Sequence, residues 1–166
     1  MTYRAARRAF IAACEKAHVE TVARLHPSKG PDGKPLFMDC AAIGPRRAAK
    51  AALVAGYDAA GSETLIALLA ETLPPDTKLV LVHAVDPAAF AGVEGDPAWQ
   101  AAMLGAEATE DLSHTRHLAV MALGRQDEKL KPALKAHLPQ TQITVLPQAC
   151  TAAKTWREIT AFFAAH

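Results

Sequence analysis

The densest group of side chains that could bind a metal lies between residues 111 and 117. His114 and His117 are three residues apart, and Asp111 precedes His114 by the same spacing. On a helix, this spacing would place the three side chains on one face, as a metal site requires. Short His spacings arise readily by chance, and the sequence shows no clear remote partner. We therefore expect a polar helix end and no metal or cofactor, and keep Asp111, His114 and His117 as the alternative.

A second group of polar side chains follows two predicted strands. His83 lies at the end of an apolar strand, and Asp86 comes shortly after it. Tyr57 ends another strand, and Asp58 and Ser62 follow it. In open α/β sheets, ligands bind beyond the carboxyl ends of the strands, so these five residues form a candidate ligand-binding pocket. His83 and Asp86 could act as a general acid–base pair. The alternative, which we favour, is that both hydrogen-bond a local turn, and no catalytic residue is assigned.

The segment from Gly56 to Ser62 has the glycine spacing of a phosphate-binding loop. The lysine of such a loop is absent, because Ser62 directly follows Gly61. This departure argues against a nucleotide triphosphatase. We expect instead a tight turn with Ser62 as the N-cap of the next helix. No GxSxG motif of a serine hydrolase is present.

Length and composition indicate one globular domain over residues 1–166, with 51% hydrophobic and 5% aromatic residues. The net charge of +1 gives no basic face, which argues against nucleic-acid binding. No stretch is long enough to span a membrane, and no signal peptide is evident, so we expect a cytoplasmic protein without membrane partners. The cysteines lack metal-binding or disulfide spacing, and we expect reduced thiols at Cys14, Cys40 and Cys150.

Apolar periodicity and breaker residues predict strands that alternate with helices. The predicted helices are Tyr3–Leu25, Ser62–Leu73, Ala98–Leu112, Asp127–His137 and Ala152–Ala165. The predicted strands are Leu36–Ile43, Ala51–Tyr57, Lys78–Ala84, Leu118–Leu123 and Gln142–Leu146. This order predicts an α/β fold, a three-layer sandwich with a mainly parallel sheet of about five strands and helices on both faces.

Four segments within Tyr3–Gly92 carry a family resemblance. A helix opens at Tyr3–Phe10, a GPDG turn leads into the strand that ends at Gly44-Pro45, Leu53–Gly56 follows, and Leu79–Ala91 reads LVLVHAVDPAAFA. This order resembles a bacterial domain family of unknown function in the zinc carboxypeptidase-like superfamily. Members carry a similar "GPDG…L…D…GP" entry and an "HA-x-NP-x-GFA" segment.

The resemblance implies a zinc site that this sequence lacks. Family members place a His-x-x-Glu pair of zinc ligands after the strand that corresponds to Leu53–Gly56. Here Tyr57–Glu63 follows without a histidine, and Asp58 and Glu63 alone make a poor zinc site. Asp86 replaces the expected Asn, and the family's substrate-binding stretch has no counterpart after Gly92. The resemblance therefore implies a truncated, degenerate relative that is not an active zinc carboxypeptidase.

These observations lead to two functional hypotheses. The first is a non-catalytic peptidase-like domain, a pseudoenzyme that acts as a protein-interaction or self-association module, such as a homo-oligomer. The second is a small enzyme or ligand-binding protein, hydrolase-like, that uses the pocket at the carboxyl ends of the strands. An apolar stripe is expected to dock on the sheet or to form an association surface, and it consists of Trp156, Ile159, Phe162 and Phe163.

Overall fold

The computed structural model describes residues 3–17, 20–29, 35–45, 47–55, 59–84, 112, 114–121, 130–147 and 151–166. Their strands are β1 (Glu20–Lys29), β2 (Pro35–Ile43), β3 (Lys50–Ala55), β4 (Thr77–Ala84), β5 (His117–Met121) and β6 (Gln142–Val145). Their helices are α1 (Tyr3–Lys16), α2 (Ala59–Thr72), α3 (Leu130–His137) and α4 (Ala152–Ala165). Elements of both kinds alternate over most of this order, which confirms the α/β class.

The six described strands form one sheet in the order β1-β2-β4-β3-β5-β6. Strands β3 to β6 run parallel to their neighbours among themselves. Strand β2 is antiparallel to both β1 and β4. The prediction of a mainly parallel sheet is therefore wrong. The sheet is mixed, because a hairpin of β1 and β2 is added to one side of the parallel strands.

Strand β1 was not predicted, because the helix expected over Tyr3–Leu25 ends at Lys16. Thr21 and Val22 are β-branched residues that fit a pleated strand better than a helix, and residues 20–25 pair in register with β2. The register shifts between Leu25 and Lys29, which is where β1 contains a proline. An edge strand with an irregularity tolerates proline because a ladder N–H is not required there.

The start of α2 also differs from the prediction. Helix α2 begins at Ala59, so Ser62 lies inside its first turn and is not the N-cap. The helix predicted over Ala98–Leu112 falls almost wholly outside the described residues. Helix α4 matches its predicted bounds at Ala152 and Ala165.

One hydrophobic core joins α1, α2 and α4 to one face of the sheet. The helices contribute Cys14, Leu65, Ile66, Leu69, Ile159, Phe162 and Phe163. The sheet contributes alternate residues of adjacent strands, Ala52 and Val54, Leu79 and Leu81, and Ala119 and Met121. The α4 stripe therefore contributes to this core together with α1, α2 and the sheet.

The other face of the sheet is also buried. Leu53, Val80, Val82, Leu118 and Val120 have at most 1% of their surface exposed. Burial on both faces explains why β4 reads as a continuous apolar run. A second helical layer, and with it the three-layer sandwich, stays a prediction. Among the described helices, none has the length and apolar character needed to cross a membrane.

Candidate functional site

The carboxyl ends of β3 and β4 lie side by side in the sheet. The two strands are parallel, and Ala55 near the end of β3 is the register partner of Val82. His83 is therefore one position beyond the end of the paired segment, at the edge where α/β proteins bind ligands. The predicted pocket requires that the ends of β3 and β4 lie next to each other, and the sheet meets this requirement.

Only part of the predicted pocket falls within the described chain. Tyr57, Asp58 and Asp86 lie outside the described residues. The backbone of Ser62 belongs to the first turn of α2, and that of His83 belongs to β4. The convergence of the five side chains stays a prediction.

Sequence reasoning missed one residue at this edge. Asp39 in β2 is the register partner of His83 in β4, and the pairing is antiparallel. Directly opposed positions share one face of an antiparallel pair. The signal could not be read from the sequence, because Asp39 and His83 belong to strands separated in the chain by β3 and α2.

Glu63, the second acidic residue considered for a metal, lies on an exposed part of α2. It lines a groove of about 310 Å³ between α1 and α2. The groove is lined by Ala13, Lys16, Ala17, Glu63, Ala67, Ala70 and Glu71. Four alanines form its apolar part, and two carboxylates and one ammonium form its charged part.

A hydrogen bond connects α4 to the end of α2 near this groove. Trp156 Nε1 donates a hydrogen bond of 2.9 Å to Thr72 Oγ1, and Thr72 Oγ1 donates to the Leu68 carbonyl at 2.6 Å. The indole of Trp156 is half-buried against the core. This bond fixes the end of α2 relative to α4.

The possible metal group at residues 111–117 is not arranged on a helix in its described part. His114 is exposed in a turn, and His117 is the first residue of β5. Asp111 lies outside the described residues. Within the described parts of the chain, no group of three or more His, Cys, Asp or Glu side chains could hold a metal ion. The expectation of no metal at this cluster stays a prediction.

The amino ends of the parallel strands are held together by buried threonines. Thr115 Oγ1 donates to the Ala48 carbonyl at 3.1 Å, and Thr141 Oγ1 donates to the Thr115 carbonyl at 2.7 Å. The backbone N–H groups of Arg116 and His117 both donate to the Ala49 carbonyl. The segments that precede β3, β5 and β6 are therefore joined side by side at this edge.

His117 also contacts the end of α4 at the amino edge of the sheet. The ring centroids of His117 and His166 are 5.5 Å apart, and the rings are tilted by 47°. The Nδ1 atom of His117 is buried and has no hydrogen-bond partner among the residues that the structure describes. Cys14, the one cysteine within the described core, is buried and outside any disulfide, as its role of core filler predicts.

Comparison with known proteins gives a family match and several similar folds. The model of a family described as "Protein of unknown function (DUF2817)" matches residues 1–94. No curated protein matches the chain in sequence.

Among solved structures, a proposed Zn-dependent exopeptidase from Bacteroides vulgatus superposes with a TM-score of 0.55 at 9% identity. The alignment covers 93% of this chain and 84% of that protein. A glutaminyl cyclase from an Acidobacteriales bacterium gives a TM-score of 0.50 at 11% identity, over 94% of this chain and 78% of that one. These identities show a shared fold alone.

A glutaminyl cyclase from Porphyromonas gingivalis is similar at 15% identity with a TM-score of 0.48, over 72% of this chain. The chain spans 50% of the length of that protein. The predicted truncation of the domain stays a prediction.

Proposed function

The chain belongs to the DUF2817 family, and we propose that it acts as a non-catalytic domain of peptidase-like fold that binds a protein partner. The observation that carries the proposal is the connection between β3 and α2. Only residues 56–58 separate Ala55 from Ala59, and the sequence has no histidine between His26 and His83.

This connection is where the family resemblance places two zinc ligands. A catalytic zinc site uses three protein ligands and one open position for water. Asp58 and Glu63 provide oxygen ligands without imidazole, a set that suits magnesium or calcium better than zinc. Glu63 also lines the groove between α1 and α2, four residues into the helix that begins at Ala59. The residues at the connection therefore do not support zinc-dependent hydrolysis or cyclisation.

The groove between α1 and α2 supports the binding role. Its alanines allow the backbone of an incoming segment to approach closely, and Ala67 is exposed. Among the described lining residues, Glu63 and Glu71 are acidic and Lys16 is basic, so the described lining has more acidic than basic charge. The partner chemistry that fits is an apolar helical segment with flanking lysines or arginines. A second copy fits less well, because two α2 helices would bring acidic residues together.

The absence of catalysis is tested by adding zinc to the purified chain. We expect no zinc-dependent cleavage of amino-terminal residues from peptides and no cyclisation of amino-terminal glutaminyl peptides. Turnover above the blank that a chelator abolishes, and that Asp58→Asn reduces, would overturn the non-catalytic proposal.

The binding role is tested with a fluorescent amphipathic helical peptide of leucine and lysine. We expect anisotropy to show saturable binding that weakens as salt is raised, because part of the attraction is between exposed charges. Ala67→Arg should abolish binding by filling the groove with a cation, and Glu71→Lys should weaken it. A matched peptide with glutamate in place of lysine is the control.

Equal binding of both peptides, or binding unaffected by Ala67→Arg, would contradict the groove as the binding surface. A dimer that Ala67→Arg dissociates, measured by sedimentation, would replace the protein partner with a second copy of the chain.

A second candidate function, a ligand-binding or hydrolase-like pocket, is favoured by the register pairing of Asp39 with His83. The register thus places an aspartate position opposite a histidine position near the carboxyl edge of the sheet. Carboxylates and imidazoles are the groups that general acid–base catalysis uses. Its test is a small-molecule binding screen in which Asp39→Asn and His83→Gln each remove any hit. Hits that survive both substitutions would exclude this pocket.

A further inference from the structure

The imidazoles of His117 and His166 lie at a distance that suits two ligands of one metal ion. Their ring centroids are 5.5 Å apart and the ring planes are inclined by 47°. Two imidazoles that bind one ion at about 2.0–2.1 Å in tetrahedral geometry have centroids roughly 5 Å apart. The pair is formed by the first residue of β5 and the C-cap of α4.

The contacts of His166 suit a metal ligand in one of its two neutral tautomers. Its Nδ1 atom lies 3.0 Å from the Phe162 carbonyl oxygen, and its ring stacks on Phe162 with a centroid separation of 4.3 Å. If Nδ1–H donates to this carbonyl, the lone pair of Nε2 is free to bind a cation. Metal-binding histidines commonly donate their second ring N–H to a backbone carbonyl, which fixes the tautomer and the ring orientation.

His117 provides an independent observation. Its Nδ1 atom is buried without a hydrogen-bond partner among the described residues. A buried polar atom without a partner is destabilising, and a bound ion is one recognised explanation for such an atom. A metal bound by the Nδ1 atom of His117 would give this atom a partner.

We propose that His117 and His166 form a binding site for a divalent transition metal such as Zn²⁺, Cu²⁺ or Ni²⁺. Imidazole nitrogen suits these ions, whereas Mg²⁺ and Ca²⁺ prefer oxygen. An anion is disfavoured, because the carbonyl groups at the end of α4 carry partial negative charge. Among the described residues, no third His, Cys, Asp or Glu joins the pair, so the proposed site has two ligands there.

The ammonium group of Lys50 limits the affinity of this site. Lys50 is the register partner of His117, and its Nζ atom donates to the Phe163 carbonyl at 3.3 Å. A positive charge close to the site repels a cation, and the effect is moderated by solvent because Lys50 is only partly buried. Removing this charge should therefore strengthen metal binding.

The site lies at the amino edge of the parallel strands, away from the carboxyl edge where β3 meets α2. A metal here would connect α4 to β5, so its role is to hold the last turn of the helix against the sheet. The proposal is independent of the proposed function, which concerns α1, α2 and the β3–α2 connection.

The test is a titration of the untagged, metal-free chain with Zn²⁺, Ni²⁺ and Cu²⁺ by calorimetry, with electron paramagnetic resonance on the Cu²⁺ form. We expect one ion per chain, a Cu²⁺ spectrum with hyperfine structure from imidazole nitrogens, and a metal-dependent rise in Tm. His166→Ala and His117→Gln should each weaken binding about 10-fold or more, because even changes outside the ligand shell cost 10- to 100-fold. Lys50→Met should tighten it.

The matched control is His114→Ala, which removes an exposed histidine three residues from His117 and should leave the affinity unchanged. Circular dichroism establishes that each variant is folded, and His166 is exposed, so its replacement disturbs little packing. No metal binding by the folded wild-type chain, binding retained in both His117→Gln and His166→Ala, or binding of inorganic phosphate in place of metal would each overturn the proposal.

Discussion

Gly44 lies where β2 ends and the chain passes the start of β4. Its φ angle is +106°, and a Cβ atom added there would lie 2.2 Å from the Thr77 carbonyl oxygen. Both the backbone conformation and the close approach require glycine. Gly44 is the first residue of the Gly44-Pro45 pair that carries part of the family resemblance. The local backbone structure thus explains why a glycine stands at this position.

We predict that Gly44→Ala destabilises the protein by about 2 kcal/mol or more, since strained backbone alone costs of order 1–3 kcal/mol and the contact adds to it. Urea unfolding measures the loss. The control is Gly61→Ala inside α2, which should be neutral or stabilising, because glycine in a helix is worse than alanine by roughly 0.5–1 kcal/mol. Equal stability of Gly44→Ala and wild type would show that the turn is not as described.

Asp76 is the one described non-glycine residue with a positive φ, at 65°. It is exposed in the turn between α2 and β4. Asp and Asn enter this left-handed region more readily than other residues, and β-branched residues do so with strain. We predict that Asp76→Gly changes Tm little, whereas Asp76→Val destabilises by about 1–2 kcal/mol. Thermal unfolding followed by circular dichroism measures the Tm of both variants. A higher Tm for Asp76→Val than for Asp76→Gly would contradict the prediction.

At the scale of elements, the amino edge of the sheet depends on threonine hydroxyls. Thr141 is 1% exposed, and its hydroxyl donates to the Thr115 carbonyl between the segments before β5 and β6. We predict that Thr141→Val, which keeps the shape, destabilises by about 1–3 kcal/mol because the hydrogen bond to a buried carbonyl is lost. Thr144→Val within β6 is the matched control and should cost less in chemical denaturation. A larger loss at Thr144 would contradict this view of the edge.

Prediction of the elements from sequence succeeded where local signals agreed with tertiary structure. The bounds of α4 were predicted with its apolar stripe, and the structure adds an N-cap at Thr151, which accepts a hydrogen bond from the Lys154 N–H. The prediction of α1 ran too far because its alanine-rich pattern continues towards β1. Pairing with β2 determines that residues 20–25 form a strand. This pairing involves residues distant in sequence, so a short stretch of sequence does not reveal it.

The candidate sites were less predictable than the elements. His83 was identified because it ends an apolar run, and the parallel pairing of β3 with β4 places it at the expected edge. The neighbours that matter, Asp39 for His83 and His166 for His117, come from sheet register and from the end of a helix distant in sequence. Spacing along the chain instead associated His117 with His114, which lies in a turn.

At the scale of the molecule, the sheet has a protected centre and two outer strands. Strands β3 and β4 are central in the described order, and Leu53, Leu79 and Leu81 are fully buried. Strands β1 and β6 each have one neighbour among the described strands. Stability against local opening is expected to fall from the centre to these strands.

We predict that native-state amide exchange is slowest in β3 and β4 and faster in β6, measured by mass spectrometry of peptic fragments. Exchange should remain slow in the helix residues of the shared core, such as Leu69 of α2. Protection of β6 equal to that of β3 would contradict this order, and it would indicate that another chain pairs with β6.

The contribution of α4 to the core also has a consequence for biosynthesis. Ile159, Phe162 and Phe163 pack against residues of α1, α2 and the sheet that are translated long before them. Until α4 has left the ribosome, the apolar faces of α1 and α2 have no α4 side chains to pack on and remain open to non-native contacts. Folding of this layer is thus expected to be completed only after α4 has been translated, and a nascent chain stalled before Ala152 should bind a chaperone that the finished protein does not.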